Sequence, residues 1–171
     1  MVSLILTSVT VLGLLIVSGA TGLNTAGFVI TTILIGFGLA PFVGDSIERH
    51  IPDSKWKYCS VSRDTSRKLG LRLFNEFLTS IGWNRLVISM RTREKVGVDR
   101  DPLRPIKAAA AGHFWGFLLH FATATWAGVA EAWASASILL VVGLLGHFYP
   151  TLLQIRILTH IRSNEENTSI G

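Results

Sequence analysis

The sequence predicts an all-α integral membrane protein, with four transmembrane helices in two hairpins and an interfacial amphipathic helix between them. Three observations carry that prediction. Residues 1–43 contain no Lys, Arg, Asp or Glu. Residues 105–157 contain only Lys107, Glu131 and Arg156. Most of the remaining charge lies between these two stretches, whereas a soluble domain interleaves charge with its core.

The elements follow in order. A first span covers roughly Leu4–Gly19 and a second roughly Ala26–Val43, joined by the short TGLNTA turn. The stretch VLGLLIVSGA looks like the apolar part of a secretory signal but lacks a basic region before it, so it reads as a retained span. A third span covers roughly Ile106–Ala132 and a fourth roughly Ser135–Leu158. Each approaches the roughly 20 residues a bilayer crossing needs. Pro105 is well placed to open the third. The chain thus divides into a first hairpin (1–43), a basic cytoplasmic and interfacial segment (44–105), a second hairpin (106–158) and a polar tail (159–171) expected to be mobile.

Residues 44–108 hold 14 Lys plus Arg against 8 Asp plus Glu. That excess places the segment and both chain ends in the cytoplasm, as in a bacterial inner membrane. The formal charge of +5 is therefore a topology signal, and no nucleic-acid partner is expected. The single Cys59 excludes an intramolecular disulfide and suits a reducing compartment.

Within the segment, residues 51–63 read as a loop, with Pro52 and Asp53 favouring a turn. Residues 66–93 alternate basic and apolar residues at helical spacing, and Leu69, Leu73, Phe77 and Ile81 share one face. Such a helix lies in the headgroup layer against anionic lipid or covers the mouth of the bundle. Neither a phosphate-binding glycine loop nor a CxxC, HExxH or GxSxG motif occurs.

The third span carries the chemistry. At about 100° per residue, His113, His120 and Glu131 fall on one line, with Ala124 between them and Gly116, Ala127 and Gly128 beside it. Trp115, Trp126 and Trp133 fall opposite, so they are expected to face lipid, Trp115 and Trp133 near the headgroups. In the fourth span Gly143, His147, Pro150 and Gln154 share a face. Antiparallel packing would bring His147 toward His113 with a depth mismatch of about 6 Å.

Imidazoles in a bilayer are costly and mark functional candidates. Three readings stand. His113 and His147 are catalytic, one as general base; or they hold a haem; or they hydrogen-bond between helices. His113 and His120 lie about 10.5 Å apart along one helix, too far to share a metal. Only pairs with His147 could ligate one.

Further motifs carry a resemblance. Ile51-Pro52 opens the basic segment, and a basic stretch with an early aromatic residue runs from Asn75 to Arg93. His113 and Trp115 follow at the start of the next span, with Phe114 between them. His147-Phe148-Tyr149-Pro150 and Leu153-Gln154 come last. In this order and spacing, over about residues 49–157, the chain resembles the membrane acyltransferases of staphyloxanthin-type carotenoid synthesis, the glycosyl-carotenoid acyltransferases. It departs at three places. A Glu three residues before the family's His is Ala110 here, the Asn of the last motif is His147, and the Arg after Gln is Ile155, with Arg156 next.

The resemblance implies transfer of a fatty acyl group to a sugar hydroxyl on a lipophilic, carotenoid-type acceptor at the cytoplasmic leaflet. His113 would be the base. His147, Tyr149, Gln154 and Trp115 would orient substrate or stabilise the oxyanion. Arg91, Arg93 and Arg156 would hold a phosphate-bearing donor or lipid headgroups. The implied reaction needs neither cofactor nor metal. The partners are membrane lipids and a carotenoid or other pigment. The alternative is a non-catalytic accessory subunit of a larger membrane complex, pigment-bearing or respiratory, that binds lipid or pigment.

Overall fold

The computed structural model describes residues 1–82 and 103–168, and every regular element among them is helical. Helix α1 (Val2–Thr21) packs against α2 (Ala26–Glu48). Their turn is closed by Gly22, at φ 82, and by Thr25, whose hydroxyl accepts from the Phe28 N–H. At the other end of the pair, the Ser3 N–H donates to Ser46 Oγ, 3.0 Å away, so the start of α1 lies beside the end of α2. Leu4, Ile5, Val9, Leu12 and Ile16 point outward from α1. Only Thr10 and Leu14 of that helix are buried. A helix this apolar on its outer side has lipid as its natural solvent.

The segment after α2 is more folded than a loop. Pro52 precedes one helical turn, α3 (Asp53–Trp56), which inserts Trp56 into a small core with Ile106, Ala110, Ala111 and Leu158. The single amphipathic helix expected over 66–93 is broken by Gly70, at φ 64, into α4 (Arg63–Lys68) and α5 (Leu71–Ser80). Ser62 caps α4 by accepting from the Thr65 N–H. In α5, Leu71 is fully buried, while Leu73, Phe77 and Ile81 are 70%, 56% and 57% exposed. The expected shared face therefore turns outward. Residues 83–102 lie outside the described part.

Helix α6 (Arg104–Val129) is the central element, with α2 and the following helices packed around it. Pro105 sits in its first turn, where a missing N–H costs nothing. Glycine and alanine at every fourth position make the contact with α2 close. A Cβ on Gly44 would strike the backbone of Ala108 and Gly112, and one on Gly112 would strike Ala40. Stripes of small residues permit such approach of two backbones.

The chain then turns at 130–132, with Glu131 at φ 61 and exposed. Glu131 therefore lies beyond the helix and not on the polar line of His113 and His120. Helix α7 (Trp133–Val142) continues through a π-helical turn (Gly143–Phe148) into α8 (Tyr149–Thr168). Pro150 offers no N–H to the carbonyl four residues earlier, which accounts for the local change of winding. Helix α8 runs on to Thr168, through much of the expected tail.

Among the described residues, three helical stretches are long and apolar enough to cross a membrane: Val2–Thr21, Ala26–Glu48 and Trp133–Ser163. Helix α6 has the length but not the apolarity, because it carries Arg104, Lys107 and two histidines among alanines and glycines. Its polar side chains are largely enclosed by neighbouring helices: Lys107, His120 and Thr123 are all buried.

Charge collects at the end where α2 stops and α6 begins. Arg104 bridges Asp45 (2.8 Å) and Glu48 (3.2 Å). Lys107 Nζ, almost wholly buried, lies 2.7 Å from Asp53. Arg162 donates to the Trp56 carbonyl at 2.7 Å, tying α8 to the same end.

Candidate functional site

The site is built from three imidazoles on two chain segments. His113 and His120 come from α6, and His147 comes from the π turn. The Nδ1 atoms of His113 and His147 lie 3.3 Å apart, so one donates to the other. The expected depth mismatch is absent. His113 is half-buried, whereas His120 and His147 are fully buried. The rings stand in a row. Ring centres are 5.5 Å apart for His113 and His147 and 4.8 Å for His147 and His120.

Glycines make room for the row. The Cβ that Gly36 lacks would overlap His120, and that of Gly116 would overlap His147. Gly143 lies against the Cβ of His120, and Gly146 lies against Phe37. Phe37 of α2 covers His147, with ring centres 4.3 Å apart. Thus α2, which carries no ionisable residue before Asp45, supplies the wall of the site.

His120 Nδ1 lies 2.8 Å from the Gly116 carbonyl. A carbonyl only accepts, so this nitrogen carries the hydrogen. The Nε2 atoms of His120 and His147 are buried and have no partner in the structure. His113 is the half-exposed member of the row, and its contact with His147 engages Nδ1 and not Nε2.

The other expected residues divide. Tyr149, two residues past His147, is half-buried and stacks on Phe74 of α5, with ring centres 4.8 Å apart. That contact brings α5 beside the site. Gln154 and Arg156 lie further along α8, about 10 Å and 13 Å from the level of His147 at 1.5 Å per residue; Arg156 is exposed. Trp115 overturns its expectation of facing lipid. It is 8% exposed, and its indole N–H donates to Thr7 Oγ1 of α1 at 3.0 Å. Trp126 is half-buried and meets Phe28 edge-on, so only Trp133 of the three lies outward, at 67% exposure. Arg91 and Arg93 lie outside the described residues. Ala110, where the resembling family carries Glu, is buried beside Trp56 and Leu158.

Haem does not fit between His113 and His147. Their Nδ1 atoms face each other at hydrogen-bond distance, 3.3 Å, which leaves no room for an iron bonded to both. Among the described residues no group of three or more His, Cys, Asp or Glu side chains is arranged to hold a metal ion.

Sequence positions that build the site without announcing chemistry are Gly36, Phe37, Gly143 and Gly146. The available signal was the spacing of small residues. Ala40 and Gly44 on α2 face Ala108 and Gly112 on α6, and Gly36 and Gly116, at the next interval of four in each helix, meet His120 and His147. Comparison with protein-family models, with curated proteins and with solved structures gives no match to this chain.

Proposed function

We propose that the chain is a four-span membrane protein of two hairpins, with its charged end and both termini in the cytoplasm, that transfers a fatty acyl group to the hydroxyl of a lipophilic, glycosylated carotenoid-type acceptor. The observation that carries the reading is the 3.3 Å contact between His113 and His147. A general base needs a second group that holds its ring and tautomer. This chain lacks the family's Glu at Ala110, and His147 supplies that partner in its place.

In this reading the His113 Nδ1–H donates to His147 Nδ1, and His113 Nε2 is the base. It takes the proton of the acceptor hydroxyl as that oxygen attacks the acyl carbonyl. The tetrahedral intermediate collapses, the donor's leaving group departs, and the proton passes to it from His113. The Tyr149 hydroxyl, two residues past His147 in the chain, is the donor this reading assigns to the oxyanion. Arg156, Arg91 and Arg93 contribute cationic character toward the donor's phosphate or lipid headgroups.

A second reading, a non-catalytic accessory subunit binding lipid or pigment, is favoured by one feature. An apolar groove of about 470 Å³ lies toward the α6–α7 turn, lined by Phe121, Thr125, Val129, Trp133, Ser137 and Leu140 among others. It suits a hydrocarbon chain and lies away from His113.

Expression in a cell that makes a glycosylated carotenoid separates the two. A new acyl ester in the pigment extract supports the transferase. An unchanged pigment profile, with the chain purifying in one stoichiometric assembly, supports the subunit.

A further inference from the structure

The two buried Nε2 atoms call for an explanation, because a polar atom left unpartnered away from water loses the hydrogen bond that water would give it. Their hydrogen states follow from their neighbours. His120 Nδ1 holds the hydrogen given to the Gly116 carbonyl, so as a neutral ring His120 presents Nε2 as a bare acceptor. If His113 keeps Nε2 bare as a base, its Nδ1–H donates to His147 Nδ1. His147 must then carry its hydrogen on Nε2. One orphan is a donor, the other an acceptor, and their ring centres are 4.8 Å apart.

We propose that one buried water accepts from His147 Nε2–H and donates to His120 Nε2, making His120 the positioning residue that fixes the tautomer of His147 and, through it, of His113. The His113 and His147 assignments rest on the base reading above; the His120 assignment, fixed by the Gly116 carbonyl, does not. A buried water needs two or more polar partners, and these two Nε2 atoms supply them beside the Phe37 ring. Control runs from a backbone carbonyl that cannot change its role, through His120 and the water, to His147. Second-layer hydrogen bonds set imidazole tautomers in this way. No proton is transferred in the resting state, and no charge is created inside the helices.

The test is nitrogen-15 NMR of histidine-labelled protein in lipid nanodiscs, with His50→Gln and His160→Gln leaving the three-ring row as the only signals. His120 is expected to carry hydrogen on Nδ1 alone and His147 on Nε2 alone, with magnetisation passing from water to His147 Nε2–H. His120→Asn keeps a donor for the Gly116 carbonyl but removes the Nε2 acceptor, and His147 should then populate both tautomers. Hydrogen on His120 Nε2, hydrogen fixed on His147 Nδ1, no water contact, or an unchanged His147 pattern in His120→Asn would each overturn the proposal. No acyl donor is present in these samples. A protein with the expected pattern but no acyl transfer therefore loses the enzyme reading and keeps the water.

Discussion

Trp115 and His113 stand two positions apart on α6 and meet different worlds. Helical spacing put the tryptophans on one side and the histidines on the other, and a tryptophan side in a membrane protein reads as lipid-facing. That inference treats α6 as having one protein neighbour. It has several, so both sides are enclosed, and Trp115 spends its indole N–H on Thr7 of α1. Trp115→Phe and Thr7→Val should each lower thermal stability in detergent. Their double-mutant cycle should give a coupling of about 0.6–1.7 kcal/mol, the range of interhelical hydrogen bonds in membranes. A coupling of zero would return Trp115 to the lipid. His147, by contrast, was legible: a polar ring on the inward face of an apolar helix has few places to go, and it meets His113.

At the scale of elements, the helices were readable because apolar runs of about 20 residues have few other uses. Their ends were less so. The break at Gly70 was hidden inside a continuous amphipathic pattern, since pattern records which face is apolar and not whether the backbone stays straight. The π turn was hidden too: Pro150 was visible, but its effect depends on where the preceding carbonyls find partners. The close contact of α2 with α6 gives a sharp expectation. Gly44→Ala puts a methyl group against the backbone of Ala108 and Gly112, which cannot move aside as a side chain would. It should cost about 1–3 kcal/mol as overpacking and lower the melting temperature. Gly13→Ala on α1 has nothing within 4 Å of the new Cβ. It should be neutral or stabilising by up to about 1 kcal/mol, the helix preference of Ala over Gly. Equal effects of the two would argue against the close α2–α6 packing.

Across the whole molecule, the charged residues of α2, α3, α6 and α8 meet at one end, and the 21–25 and 130–132 turns end the helices away from it. The excess of Lys and Arg in 44–108 assigns that end to the cytoplasm under the proposed topology. Cys59, exposed and the sole cysteine, reports on it directly. A membrane-impermeant maleimide should leave Cys59 unmodified in intact spheroplasts and label it after permeabilisation. Labelling of intact spheroplasts would reverse the orientation and move His113 to the outer leaflet. The exposed row Leu73, Phe77 and Ile81 belongs to the same picture, because α5 touches Tyr149 on one side and turns this row outward on the other. A nitroxide at Phe77→Cys, in a Cys59→Ser background, should be relaxed by oxygen in the acyl region and not by an aqueous nickel chelate. The reverse pattern would place α5 in water.

The transferase reading depends on His113 Nε2 as its general base. The measurement is acyl-ester formation on a glycosylated carotenoid in cells carrying the wild-type chain or His113→Ala, with equal membrane levels and equal melting temperatures in detergent. The ester should form with the wild type and disappear with His113→Ala. Ester at wild-type levels with His113→Ala would contradict the account.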